Sequence, residues 1–239
     1  MTVVGVLVCD HVAPELREAS GGLDYDGLYE RFLAGGGADL TVRAYDVVGG
    51  ELPADPDECD AWIITGARYD AFADEPWIEG LREFVRRLHE TRRRTVGICF
   101  GHQVLAQALG GRVERSTDWK AGPQRLDVEP TPWFDGGTVH LNAMHRDVVV
   151  EPPPGALHIA AGTTAEHPAF VLDDTMLGIQ DHPEFDARYT AALTQWRRHL
   201  MGDDVADATL ATLEAVPTDG GTVARWVVDF LLDRRRPPG

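Results

Sequence analysis

The chain has 239 residues, 44% of them apolar and 26% charged, which is an ordinary globular composition and enough length for one large α/β domain or two small ones. No run of about 18 apolar residues is present to cross a bilayer, so a membrane-spanning protein is excluded. A net charge of −17 argues against nucleic acid as a partner, because phosphate backbones require a positive surface.

The N-terminus, MTVVGVLVCD, has no basic leader and runs straight into a buried strand over 2–9, so no signal peptide and a cytoplasmic location are expected. DYDGLYERFLAGGGA then reads as an amphipathic helix with Leu28, Phe32 and Leu33 on its apolar face, followed by a strand over 39–46. A strand over 61–65 ends in a glycine loop. After it, PWIEGLREFVRRLHETRRR places Ile78, Leu81, Phe84, Val85 and Leu88 at helical spacing. TVGI is a further strand, and a helix follows Cys99. This alternation of apolar strands and helices predicts an α/β fold: an open, mostly parallel sheet with helices on both faces.

From 112 to 180 the pattern changes to short strand-like pieces, QRLDVEP, GTVHLNAM, ALHIAAG, AFVLDD and TMLGIQ, expected as a few antiparallel additions to the same sheet. Helices are expected over 186–200 and 203–215, and a last one through Val223, Trp226, Val227, Phe230 and Leu231. With no internal repeat or long linker, residues 1–239 are taken as a single domain, with 233–239 as a flexible tail. Cys9, Cys59 and Cys99 form an odd set without paired spacing, which fits a reducing compartment and neither a disulfide framework nor a metal site. Cys9 and Cys59 read as packing residues.

Cys99 is different. In Gly97-Ile98-Cys99-Phe100-Gly101 it occupies the nucleophile position of a strand-to-helix elbow, where small flanking residues permit a sharp turn. The Phe100 N–H at the helix start is then available to an oxyanion, and a helix N-terminus favours a thiolate nucleophile. The competing reading is a buried structural cysteine. A thiolate needs a histidine to move its proton and an acid to orient that histidine. The chain has nine histidines. His182-Pro183-Glu184, where an apolar strand runs out, is the informative one, because side chains two apart in extended chain point the same way. The competing reading there is a loop histidine beside a solvated glutamate.

Gly97-x-Cys99-x-Gly101-x-Gln103 together with His182-Pro183-Glu184, in that order, resembles the class I (triad) glutamine amidotransferases over about residues 3–200. The resemblance implies their flavodoxin-like fold and hydrolysis of the γ-amide of glutamine or a γ-glutamyl compound through a thioester on Cys99. His182 would act as general base and then acid, with Glu184 orienting it and no cofactor or metal required. It also implies backbone oxyanion donors at Gly66 and Ala67, in IITGARYDAF, beside Phe100. Substrate contacts are implied at Gln103 and in NAMHRDVV, at His145, Arg146 and Asp147; a satisfied surface histidine is an equal reading of His145.

The TGARYDAF loop departs from the Gly-Gly-Pro type and looks closer to a stand-alone branch that includes γ-glutamyl peptidases and GMP synthase-like proteins. No Ser-Gly-Gly-x-Asp-Ser pyrophosphate loop is present, so any ATP-dependent acceptor chemistry is expected on another polypeptide. Three functions stay open. They are a self-sufficient γ-glutamyl hydrolase, a glutaminase subunit feeding ammonia to a separate synthase, and a non-catalytic binding member of the fold. Residues 10–25, 66–75 and 117–124 are expected to shape the leaving-group side, with 10–25 as a lid.

Overall fold

The structure, a computed structural model, describes residues 2–163 and 165–235. In chain order the elements are β1 (Thr2–Val8), α1 (Tyr25–Ala34), β2 (Leu40–Asp46), β3 (Ala61–Ile64), α2 (Pro76–Glu90), β4 (Thr95–Ile98) and α3 (Phe100–Ala108). Then come β5 (Arg112–Val128), β6 (Gly137–Glu151), β7 (Leu157–Gly162), β8 (Ala169–Leu172), β9 (Met176–Ile179), α4 (Ala187–Met201), α5 (Asp203–Ala215) and α6 (Gly220–Leu231). All nine strands join one sheet in the order β2-β1-β3-β4-β9-β8-β7-β5-β6.

Strand periodicity sorts the side chains onto two faces. Val4, Val6 and Val8 of β1, with Ala61 and Ile63 of β3, enter one core, which α1 and α6 cover through Leu28, Phe32, Val223 and Val227. Leu7, Trp62 and Ile64 enter the other, where α2 supplies Ile78, Leu81, Phe84, Val85 and Leu88, the stripe expected from its spacing. Burial on both faces explains why these strands read as continuous apolar runs. The β2-β1-β3-β4-β9 half is parallel throughout.

The antiparallel part is larger than a few additions. QRLDVEP and GTVHLNAM are the paired ends of one long ribbon, β5 against β6, which runs from Val128↔Gly137 through Lys120↔His145 and on to Arg112↔Glu151. A register shift between Arg115 and Lys120 interrupts it. Much of β5 is exposed on both faces, so it lacks the apolar alternation that marks a half-buried strand. Residues 233–235, inside the expected tail, are tied to the body of the fold. Asp233 accepts from the Trp133 indole N–H at 3.1 Å, and the Arg235 guanidinium lies 5.1 Å from the Trp133 ring centroid. Residues 236–239 lie outside the described residues.

What positions the site is the approach of α3 to the sheet. A Cβ on Gly97 would lie 2.4 Å from the Gly101 carbonyl, and one on Gly101 would lie 2.4 Å from the Ile64 carbonyl oxygen. These obstacles are backbone atoms, which cannot rotate away. Gly101→Ala should therefore lower the urea midpoint of unfolding by an amount equivalent to about 1–3 kcal/mol. Gly221→Ala, in α6 with open space around the new methyl, should raise stability by about 0.5–1 kcal/mol through helix propensity. Equal midpoints for the two variants would show that the close approach is not a constraint.

Candidate active site

Three loops meet at the carboxyl ends of the neighbouring strands β3, β4 and β9, the end at which parallel α/β sheets present ligand sites. The middle loop holds Cys99, with φ 51° and ψ −101°, a left-handed backbone on a non-glycine residue. Its N–H is tied to Ile179 O at 2.9 Å, and its carbonyl accepts from Gln103 N at 3.1 Å, starting α3. The turn lifts the side chain onto a cleft of about 380 Å³.

The loop after β9 supplies the partner. His182 Nδ1 and Glu184 Oε1 are 2.7 Å apart, with both side chains buried, as the two-residue spacing leads one to expect. His182 is fixed further by its N–H to Asn142 O at 2.8 Å and by the Phe185 ring, parallel to it at 4.0 Å. With Nδ1 committed to Glu184, Nε2 is the nitrogen left to face Cys99, whose charge acts on the imidazole. Burial by itself would lower the His182 pKa, but the charges of Glu184 and Cys99 outweigh it and raise the value from 6.5 to about 10.

Behind this pair stands Tyr29 of α1, which the sequence reading passed over. Its hydroxyl donates to Glu184 Oε1 at 3.0 Å and accepts from Gly66 N at 3.1 Å. Burial, reinforced by the Glu184 charge, keeps this phenol protonated by raising its pKa well above 10. A phenol in the apolar stripe with Leu28 and Phe32 was the available signal, since a buried tyrosine hydroxyl needs a partner.

That contact corrects one expectation. The Gly66 N–H is engaged by Tyr29 and is not available as an oxyanion donor. Gly66 still belongs to the site, because a Cβ there would come within 2.6 Å of His182 Cε1. Thr65 N bonds to Leu7 O, and Arg68 N bonds to Asp10 Oδ2 at 2.9 Å. Among the described residues the Ala67 and Phe100 N–H groups have no such partner. The Arg68 guanidinium clamps the buried Asp10 carboxylate, which holds this loop in place.

Gln103, His145, Arg146 and Asp147 all line the cleft with Cys99. Gln103 Nε2 donates to the Asp147 carbonyl at 2.8 Å, the Asp147 carboxylate is held by Arg115, and His145 faces Asp181 and the Asp147 carbonyl, each at 3.2 Å. His145 is therefore a wall residue with its nitrogens engaged, satisfied as the second reading has it but buried and not at the surface. His102, beside Gln103, lies against Phe170 instead, and burial pushes its pKa down to about 3.

Residues of 66–75 and 117–124 line the cleft, but among the described residues none of 10–25 does. That segment buries Val12, Ala13 and Leu16 and braces the site from behind through Asp10. The sequence reading also missed the cleft face of α4, with Trp196, Arg197 and Leu200, and Gln180, whose Nε2 lies 3.8 Å from Cys99 Sγ. No cluster of metal-ligating side chains occurs among the described residues, and none of their helices is long and apolar enough to cross a membrane.

Residues 31–194 match the family model for glutamine amidotransferase class-I. γ-Glutamyl peptidase 4 of Arabidopsis thaliana is 33% identical over 213 residues, covering 81% of this chain and 82% of that protein. A glutamine-hydrolysing GMP synthase of Thermus thermophilus is also 33% identical, over 175 residues, which cover 68% of this chain but 32% of the synthase. A solved glutamine amidotransferase from Methylobacillus flagellatus shares the fold at TM-score 0.72, over 100% of this chain and 97% of that one, with 22% identity.

The electrostatics of His182 can be checked directly. Its imidazolium should persist through neutral pH and titrate at about 10, read from the imidazole carbon and nitrogen shifts by NMR. Glu184→Gln removes the largest source of the upward shift and leaves the burial, so the midpoint should move down; an unchanged midpoint would contradict the assignment. Because the folded pKa is raised above 6.5, the pairing stabilises the fold fully below that pH, and its contribution is lost as pH rises through about 10.

Proposed function

The chain belongs to the class I glutamine amidotransferase family, and from that premise we propose that it hydrolyses the γ-amide of glutamine or of a γ-glutamyl compound through a γ-glutamyl thioester on Cys99. The observation that carries this reading is the buried Cys99–His182–Glu184 relay at a strained elbow. Cys99 Sγ attacks the γ-carbonyl, and the charge on its oxygen develops between the N–H groups of Ala67 and Phe100. His182 Nε2 gives its proton to the leaving nitrogen as the C–N bond breaks, which releases the amine and leaves the acyl group on sulfur. The neutral imidazole then takes a proton from water, the water oxygen attacks the thioester, and glutamate leaves as the C–S bond breaks. Glu184, steadied by Tyr29, holds the imidazole in register for both transfers.

On this reading Gln103 and His145 shape the glutamyl pocket through the Asp147 carbonyl. Arg146, which has no carboxylate partner among the described residues, receives the substrate's α-carboxylate. A second reading is a glutaminase subunit that supplies ammonia to a separate synthase, and the match to one part of a GMP synthase favours it.

Intact mass after incubation with 6-diazo-5-oxo-L-norleucine, paired with glutamate release from glutamine and γ-glutamyl dipeptides, tests both readings. One adduct on the wild type, none on Cys99→Ala and wild-type-like turnover in Cys59→Ala are expected, with the Cys99→Ala protein inactive. Turnover by Cys99→Ala would refute the nucleophile. An adduct without turnover by the isolated chain would favour the synthase-dependent reading.

A further inference from the structure

The cleft has a wall that glutamine does not need. It is formed by Trp119 of the ribbon and by Trp196, Arg197 and Leu200 from the C-terminal half of α4. The Trp119 indole N–H donates to the Leu200 carbonyl at 3.1 Å, which locks ribbon and helix together as one surface. Leu200 is 55% exposed, an apolar side chain presented at the mouth of the cleft. If the leaving group were only ammonia, this apolar surface would have nothing to bury.

The cations point the same way. In a chain of net charge −17, four arginines line this one cleft. Arg68 is neutralised by Asp10, and Arg115 by Asp147 and Asp70. Arg146 and Arg197 have no carboxylate partner among the described residues, and Arg146 is held 6.0 Å from the Trp119 ring centroid. Glutamine brings one carboxylate, which Arg146 accounts for on the reading above. The second unpaired guanidinium calls for a second anionic group on the substrate, on the side of the leaving amine.

We propose that Trp119, Trp196, Leu200 and Arg197 form the leaving-amine subsite, and that it selects an amine bearing a carboxylate and an apolar side chain, that is, a γ-glutamyl dipeptide over glutamine. This rests on the hydrolase reading of the same site. The apolar side chain lies on the Trp196–Leu200 surface, the carboxylate pairs with Arg197, and the scissile nitrogen sits at His182.

The test is kcat/KM for glutamate release by the full chain from four substrates: glutamine, γ-glutamyl-glycine, γ-glutamyl-phenylalanine and γ-glutamyl-phenethylamide, the last lacking only the carboxylate. γ-Glutamyl-phenylalanine should be preferred over glutamine by about tenfold or more, the discrimination that one apolar group and one ionic contact can supply. Arg197→Ala should erase the advantage of γ-glutamyl-phenylalanine over the phenethylamide, and Arg197→Lys should restore part of it. Trp196→Ala should erase the advantage of phenylalanine over glycine. Equal rates for glutamine and the dipeptides, or an Arg197→Ala protein slowed by one factor on all four substrates, would overturn the subsite while leaving the hydrolase intact. No release from any of the four would overturn the hydrolase reading and the subsite with it.

Discussion

The N-terminus of α3 can reach the end of β4 only if two positions carry no side chain and the residue between them adopts a left-handed backbone. Gly97 and Gly101 meet the first condition and Cys99 the second. A non-glycine residue at φ 51° is held at a cost of about 1–3 kcal/mol, so it persists only where the surroundings over-determine it. Here they do. Val96, Ile98 and Phe100 are fully buried, and the Cys99 N–H and carbonyl are both bonded. The strain falls on the residue that lines the cleft at this turn, and the packed faces of β4 and α3 hold it there.

Once that elbow is set, the rest of the site follows from what its two neighbouring strands deliver. A buried imidazole and carboxylate are costly to desolvate and stable only when paired and hydrogen-bonded. His182 and Glu184 meet this through each other, and Tyr29 supplies a further donor from the helix on that face of the sheet. The same phenol accepts from Gly66, so one hydroxyl ties α1, the loop after β3 and the loop after β9 together. It also engages the Gly66 N–H, which leaves the Ala67 and Phe100 N–H groups as the ones without a partner there among the described residues.

The parallel half of the sheet, the helix faces, the elbow and the His182–Glu184 pair were legible in the sequence because each depends on local spacing: period two, period 3.6, or residues within five positions. What was not legible depends on distant chain coming together. Tyr29 meets Glu184 across 155 positions, and Asp10 meets Arg68 across 58. The ribbon looks like fragments in sequence because its exposed length carries no apolar pattern. Length alone suggests a lid over 10–25; its buried Val12, Ala13 and Leu16 have no regular spacing to announce that they pack. The antiparallel pairings make up half of the sheet, and α4 reaches the cleft because this ribbon extends to meet it.

Charge separates the framework of the cleft from its working surface. Arg68 and Arg115 join loops to strands by pairing with Asp10 and Asp147, both largely buried, and such pairs hold shape rather than attract ligand. An acidic chain gains nothing in solubility by exposing further arginines at the same place, since its net charge already supplies repulsion. Unpaired guanidiniums facing a cleft are poorly satisfied until an anion arrives, and each contributes more to binding there than it would on an open surface, where water screens it. The cleft thus combines a rigid frame of paired charges with two remaining cations, Arg146 and Arg197.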